Sequence, residues 1–103
     1  MQGVRANGQV DRELLVAADK GDYARAFERA LALVPNKGTE LTKYLALMEL
    51  YEESRRTADW RRALRALADA RAAAIAVGLP ELEHAVTHRL FDLVKEQQEG
   101  RKA

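Results

Sequence analysis

Apolar residues recur along this chain at helical spacing, in five stretches set apart by glycine and proline. Val10, Leu14, Leu15 and Ala18 mark the first, over 10–20. Tyr23, Ala26, Phe27, Ala30, Leu31 and Val34 follow at i, i+3, i+4, i+7, i+8 and i+11, one face of a helix over 22–34. The third stretch, 39–56, carries Leu41, Tyr44, Leu45, Met48 and Tyr51 on one stripe, widened by Leu47 and Leu50. A stripe that wide predicts a helix with neighbours on two sides. The fourth, 59–77, has Trp60, Ala63, Leu64, Leu67, Ala68, Ala74 and Ile75 as its apolar set; the fifth, 80–98, has Leu82, Ala85, Val86, Leu90, Leu93 and Val94. No stretch alternates with the period of two that a strand requires.

The punctuation agrees with these boundaries. Gly21, Gly38 and Gly78 fall between stretches, with Pro35 and Pro80 beside two of the gaps. Inside a helix a glycine costs about 1 kcal/mol and a proline about 3 kcal/mol, so their placement marks ends. Asp11, Asp22, Thr39 and Asp59 stand where N-caps are needed. Gly78 suits a left-handed residue after a helix, and Pro80 followed by Glu81 and Glu83 suits a helix start. Only 56–58 lacks both glycine and proline. There Thr57-Ala58-Asp59-Trp60 reads as a capped entry, which divides Thr39–Val77 into two helices rather than one long rod. The reading is a frayed lead-in over 1–9, a single domain over 10–98 and a polar tail over 99–103. Short connections make sequence neighbours antiparallel.

Length and composition bound the rest. A chain of 103 residues with 48% hydrophobic and 32% charged content is one globular domain. Lys and Arg number 17 against 16 Asp and Glu, so no net field draws nucleic acid or membrane to the whole molecule. There is no cysteine, which excludes disulfides, thiolate metal sites and thiol catalysis and fits a cytoplasmic location. The apolar run Ala72–Val77 is six residues, far short of the roughly 20 a membrane span needs.

A short internal match points further. Gly21-Asp22-Tyr23-Ala24-Arg25-Ala26-Phe27 aligns with Ala58-Asp59-Trp60-Arg61-Arg62-Ala63-Leu64 at an offset of 37 residues, Asp22 to Asp59. Helix-pair repeats recur every 33 to 47 residues or so, roughly this spacing. Gly21-Asp22-Tyr23-x-x-Ala26, followed by Ala30-Leu31-x-Leu33-x-Pro35-Asn36, resembles the second helix of a tetratricopeptide repeat. The stretch from Asp59-Trp60-x-x-Ala63-Leu64 to Gly78-Leu79-Pro80-Glu81-Leu82-Glu83 is similar to the longer repeats of large bacterial transcriptional regulators. Leu47-x-x-Leu50-Tyr51 departs from that family by placing Tyr51 where glycine is usual. The resemblance covers 10–98. It implies an all-α fold of antiparallel helix pairs, about five helices, with the fifth capping the stack or the chain forming a homodimer. It implies a bacterial, cytoplasmic, non-enzymatic scaffold for protein–protein interaction. The first helix of each pair would line a groove for a partner peptide or helix, with Leu45, Met48, Glu49 and Glu52 at the groove, joined by His84, His88 and Phe91.

Other constellations carry less. Arg55, Arg56, Arg61, Arg62 and Arg65 form a basic cluster around Trp60, and guanidinium groups beside an aromatic ring can hold phosphates and stack bases. Nucleic-acid binding or transcriptional regulation through this cluster is therefore the alternative function; Glu49, Glu52 and Glu53 can also pair with it along the chain. His84 and His88 stand i, i+4 on one helix face, a spacing that can place two imidazoles on one metal, with Asp92 or Glu81 as third ligand. The reading adopted is a shared solvated face, with no metal and no cofactor. Lys37-Gly38-Thr39 lacks the earlier glycine and the strand of a phosphate loop. Ser54 is the only serine and has no histidine nearby in sequence, so no catalytic residues are assigned.

Overall fold

Aspartate starts three of the helices. Asp11, Asp22 and Asp59 each accept from the backbone N–H three residues on, at 2.9 Å from Leu14, 3.3 Å from Arg25 and 3.2 Å from Arg62. Each carboxylate satisfies a donor that the first turn leaves without a partner, and it meets the positive end of the helix dipole. The structure, a computed structural model, describes residues 10–102. It contains α1 (Arg12–Lys20), α2 (Tyr23–Leu33), α3 (Gly38–Arg56), α4 (Trp60–Val77) and α5 (Pro80–Lys102), with a 3-10 turn at Pro35–Lys37 leading into α3. The fold is all-α, and no strand occurs among the described residues.

The lead-in expected over 1–9 lies outside the described residues. Two helix ends differ from expectation. The 3-10 turn that opens at Pro35 delivers the chain into α3 at Gly38, so Thr39 sits inside the first turn and caps nothing; Lys37 is the N-cap residue, with no side-chain hydrogen bond. At the other end α5 continues to Lys102 instead of stopping near Gln98. Glu96, Gln97, Gln98 and Glu99 are all good helix formers, and Gly100 opposes them by only about 1 kcal/mol.

Two of the turns share one geometry. After α1, Gly21 takes φ 86°, and the N–H groups of Gly21 and Asp22 donate to the carbonyls of Ala18 (3.2 Å) and Ala17 (2.9 Å). After α3, Ala58 takes φ 58°, and Ala58 and Asp59 donate to Arg55 (3.1 Å) and Ser54 (2.8 Å). Both are Schellman closures, which absorb the carbonyls left over at a helix end. Each is followed by an aspartate N-cap and an aromatic residue that opens the next helix. The break at 56–58 is thus real, made by an alanine in the place where glycine is usual. A left-handed backbone costs an L-residue about 1–2 kcal/mol. Ala58 is exposed, so it loses little packing on truncation. Ala58→Gly is therefore expected to raise stability by about 0.5–1 kcal/mol, the relief being partly offset by the extra freedom of glycine in the unfolded chain. A urea midpoint that stays put or falls would show that the turn is not strained.

Each helix packs against its neighbours in sequence, and α5 also packs against α1. The five helices therefore follow one another in a closed order around a shared core. Leu14, Leu41, Tyr44, Met48, Tyr51, Leu67, Leu82, Val86 and Leu93 are its large buried members. On α4 the buried face is Ala63, Ala66, Leu67, Ala70, Ala73, Ala74 and Val77, which keeps Ala63, Leu67 and Ala74 of the expected set but not Leu64, Ala68 and Ile75. Leu64 and Ile75 are about half exposed, at 48% and 50%, and Ala68 is exposed too. Alanine settles the phase: a face of small residues lets α4 approach its neighbours closely, and close approach forms more van der Waals contact than a bulkier, looser seam.

Side-chain struts tie the circuit. Asp11 accepts a two-pronged contact from Arg29 of α2, with Nη2 at 2.6 Å and Nε at 3.1 Å, and its backbone N–H donates to the buried Glu81 of α5 at 2.6 Å. Arg89 of α5 donates to the Tyr23 hydroxyl (3.2 Å) and to the carbonyls of Asp19 (2.7 Å) and Ala18 (3.4 Å) at the end of α1. The Tyr23 hydroxyl in turn donates to Glu52 of α3 at 2.6 Å. One guanidinium thus holds α5 to α1 directly and to α2 and α3 through a phenol. These pairings, Asp11 with Glu81 and Asp19 with Arg89, show that α1 and α5 run in the same direction.

Candidate functional site

The side chains expected to line a groove do not share a surface. Met48 is fully buried, and Leu45 is half-buried against the same core. This corrects the expectation for Met48: with α2, α3, α4 and α5 arranged around a common interior, its side chain is filling and is not available to a partner. Glu49 and Glu52 border a shallow hollow between α2 and α3 with Asp22, Tyr23, Glu53 and Arg56. There Glu52 is engaged with Tyr23 and lies 3.8 Å from Arg89. His84 and His88 face α1 instead, where His88 Nδ1 lies 2.7 Å from Asp19 Oδ1. Phe91 stands out from α5, 68% exposed.

The basic cluster divides as well. Arg55 makes a two-pronged pair with Glu96 of α5, with Nη2 at 2.7 Å and Nε at 3.1 Å, and this pairing holds its guanidinium more firmly protonated than usual. It is a strut between α3 and α5. Arg56, Arg61, Arg62 and Arg65 are exposed and make no side-chain ion pair among the described residues. Trp60 is half-buried against the core, which removes it as a stacking platform for bases. Four free arginines remain as a basic rim on and just before α4.

The structure also reveals an apolar row that the periodicity of the sequence concealed. Asp69, Ala72, Ala73 and Ala76 of α4 share a trough with Glu40, Lys43, Ala46 and Leu47 of α3, while Leu64 borders a hollow on the outer face of α4 with Arg61, Arg62, Arg65 and Ala68. On α5, Glu81, His88 and Arg89 mark the side toward α1. Val94, 48% exposed, and the half-buried Leu90 occupy the side toward α4, with Phe91 at the crest. Leu64 and Ile75 of α4 and Phe91 and Val94 of α5 are the large apolar side chains that these two helices leave exposed. The signal for this on α4 was present in the alanines: Ala63, Ala66, Ala70, Ala73, Ala74 and Val77 are themselves in helical phase, and the bulky Leu64 and Ile75 are out of step with them.

Burial, with the Glu52 hydrogen bond behind it, raises the Tyr23 phenol well above its usual range, and burial does the same to Tyr44. Tyr51 is pushed up to about 12, again chiefly by burial. All three stay neutral at physiological pH. The Ser54 hydroxyl is buried and, among the described residues, has no hydrogen-bond partner, so no base activates it. No helix is long and apolar enough to cross a membrane among the described residues. Comparison with protein-family models, curated proteins and solved structures finds no match to this chain.

Proposed function

We propose that this chain is a non-enzymatic protein–protein interaction module of tetratricopeptide-like helix pairs, docking its partner on the outer face of α4 and α5. The observation that carries the reading is the exposed apolar row on that face, crowned by Phe91. A phenylalanine two-thirds in water, on a helix pair that also leaves Leu64, Ile75 and Val94 about half exposed, is apolar surface that favours contact with something else. The repeat reading rests on the two matched turns at Gly21-Asp22-Tyr23 and Ala58-Asp59-Trp60. The α4 rim adds charge selection, since Trp60–Val77 contains four arginines against one aspartate. A helix with an apolar stripe and acidic flanks is the partner this surface fits, with apolar contact supplying affinity and the arginines orienting the approach.

Phe91→Asp tests the proposal. With Phe91 exposed, the variant should melt within about 0.5 kcal/mol of the parent. Capture of a discrete partner from the native host should be lost in this variant and kept in Glu49→Lys, which lies on the far hollow. Sedimentation of the purified chain identifies the occupant: a parent of twice the monomer mass, with Phe91→Asp monomeric, makes the partner a second copy. Binding to random-sequence RNA that survives Phe91→Asp but is lost with Arg61→Glu and Arg62→Glu would replace this reading with nucleic-acid recognition.

A further inference from the structure

The seam between α1 and α5 assembles a second site, unrelated to the apolar row. His84 and His88 present their rings from successive turns of α5, with centroids 4.4 Å apart. Asp19, in the last turn of α1, meets them from across the seam, its Oδ1 2.7 Å from His88 Nδ1. One potential ligand atom from each of the three side chains falls within 4.8 Å of the other two. Neither Asp92 nor Glu81 plays the part of third ligand: Glu81 is buried and accepts from the Asp11 N–H, whereas the residue brought to the pair is Asp19.

We propose that Asp19, His84 and His88 form a binding site for a divalent transition-metal cation of the zinc type. Two imidazoles and one carboxylate are a nitrogen-rich set that suits Zn²⁺, Co²⁺ or Ni²⁺, whereas Mg²⁺ and Ca²⁺ select all-oxygen surroundings. Tetrahedral ligands at about 2.0–2.2 Å from a metal stand about 3.3–3.6 Å apart, so the His88–Asp19 pair, now at 2.7 Å, must open slightly while the wider spacings, within 4.8 Å, close by small side-chain rotations. All three residues are exposed, which keeps those rotations cheap. The backbone beneath is already fixed: Arg89 holds the carbonyls of Ala18 and Asp19 and sets the end of α1 against α5. That helix end is the negative pole of the α1 dipole, which favours a cation. The cation takes the place of the direct contact between His88 and Asp19 and leaves at least one coordination position open to water. It joins the two helices whose contact closes the circuit, so occupancy stabilises the folded chain.

The test uses the full chain without a histidine tag, stripped with EDTA and titrated calorimetrically with ZnCl₂. One equivalent should bind, with a rise in Tm and slower hydrogen exchange in α1. Loss of an outer partner alone weakens metal sites by about 10–100-fold, so His84→Ala, His88→Ala and Asp19→Asn should each weaken binding by at least about tenfold. Circular dichroism should stay unchanged in these exposed variants. Co²⁺ should give a visible spectrum that Asp19→Asn alters. Absence of a saturable Zn²⁺ equivalent would overturn the proposal. So would full affinity in Asp19→Asn, because the metal would then sit on the α5 histidines alone and bridge nothing.

Discussion

Leu67→Asp should leave the chain without a cooperative unfolding transition at room temperature. Leu67 is fully buried on the alanine face of α4, in the same core as Tyr44, Met48 and Val86. Losing a leucine of this kind costs about 2–5 kcal/mol through lost burial and the cavity left behind. A carboxyl group placed there adds several kcal/mol more, whether it stays charged or takes up a proton. Together these approach the whole stability of a domain this size, about 5–15 kcal/mol. The matched control is Leu64→Asp. Leu64 lies three residues earlier, is half exposed, and should tolerate the change to within about 0.5 kcal/mol. Thermal melts followed by far-ultraviolet circular dichroism decide between them. Equal damage from both would mean that α4 is rotated from the orientation described here, and the apolar row on its outer edge would be lost with it.

Arg89→Met should cost about 2–4 kcal/mol and should loosen α1 first. The methionine keeps an apolar stem in the place where Arg89 is packed, but it removes every contact made by the guanidinium. The carbonyls of Ala18 and Asp19 lose a donor, and the Tyr23–Glu52 pair loses its nearby positive charge. Hydrogen bonds from a charged group contribute about 1.5–3 kcal/mol, and among the described residues Glu52 is left with only the long ion-pair contact to Arg55, at 4.0 Å. Urea unfolding measures the total. Hydrogen exchange locates it: amides of α1 should lose protection before those of α3 and α4. A loss spread evenly over all five helices would show that Arg89 supports the fold as a whole rather than the α1–α5 seam.

Local features were legible because local chemistry makes them. Asp11, Asp22 and Asp59 cap helices wherever they occur before an apolar run, and Gly78 and Pro80 announce their turn without help from the rest of the chain. The break at Ala58 was harder to read, since the residue that normally advertises a left-handed turn is missing. Only the aspartate and aromatic after it gave it away. Side-chain direction on α4 was misread because hydrophobicity and burial part company there. Two large apolar residues, Leu64 and Ile75, lie outside, while alanines, weak in any hydrophobic count, join Leu67 and Val77 to form most of the buried face. The arrangement of Met48 and the meeting of Asp19 with His84 and His88 were beyond reach of periodicity. The second depends on α5 returning to α1, and no spacing within either helix encodes that encounter. The groove expected along the first helices of the pairs did not anticipate that the first and last helices touch.

That last contact has a kinetic side. Asp11 and Glu81 are separated by 70 residues, whereas the α3–α4 hairpin closes within its own turn. Contacts between distant parts of a chain must first overcome the entropy of gathering everything in between. The hairpin can therefore assemble early on its own, and the docking of α1 on α5 is left as the late event of folding. Refolding should show a probe in α1 trailing one in α4. In the native protein the same seam is the natural place for transient opening.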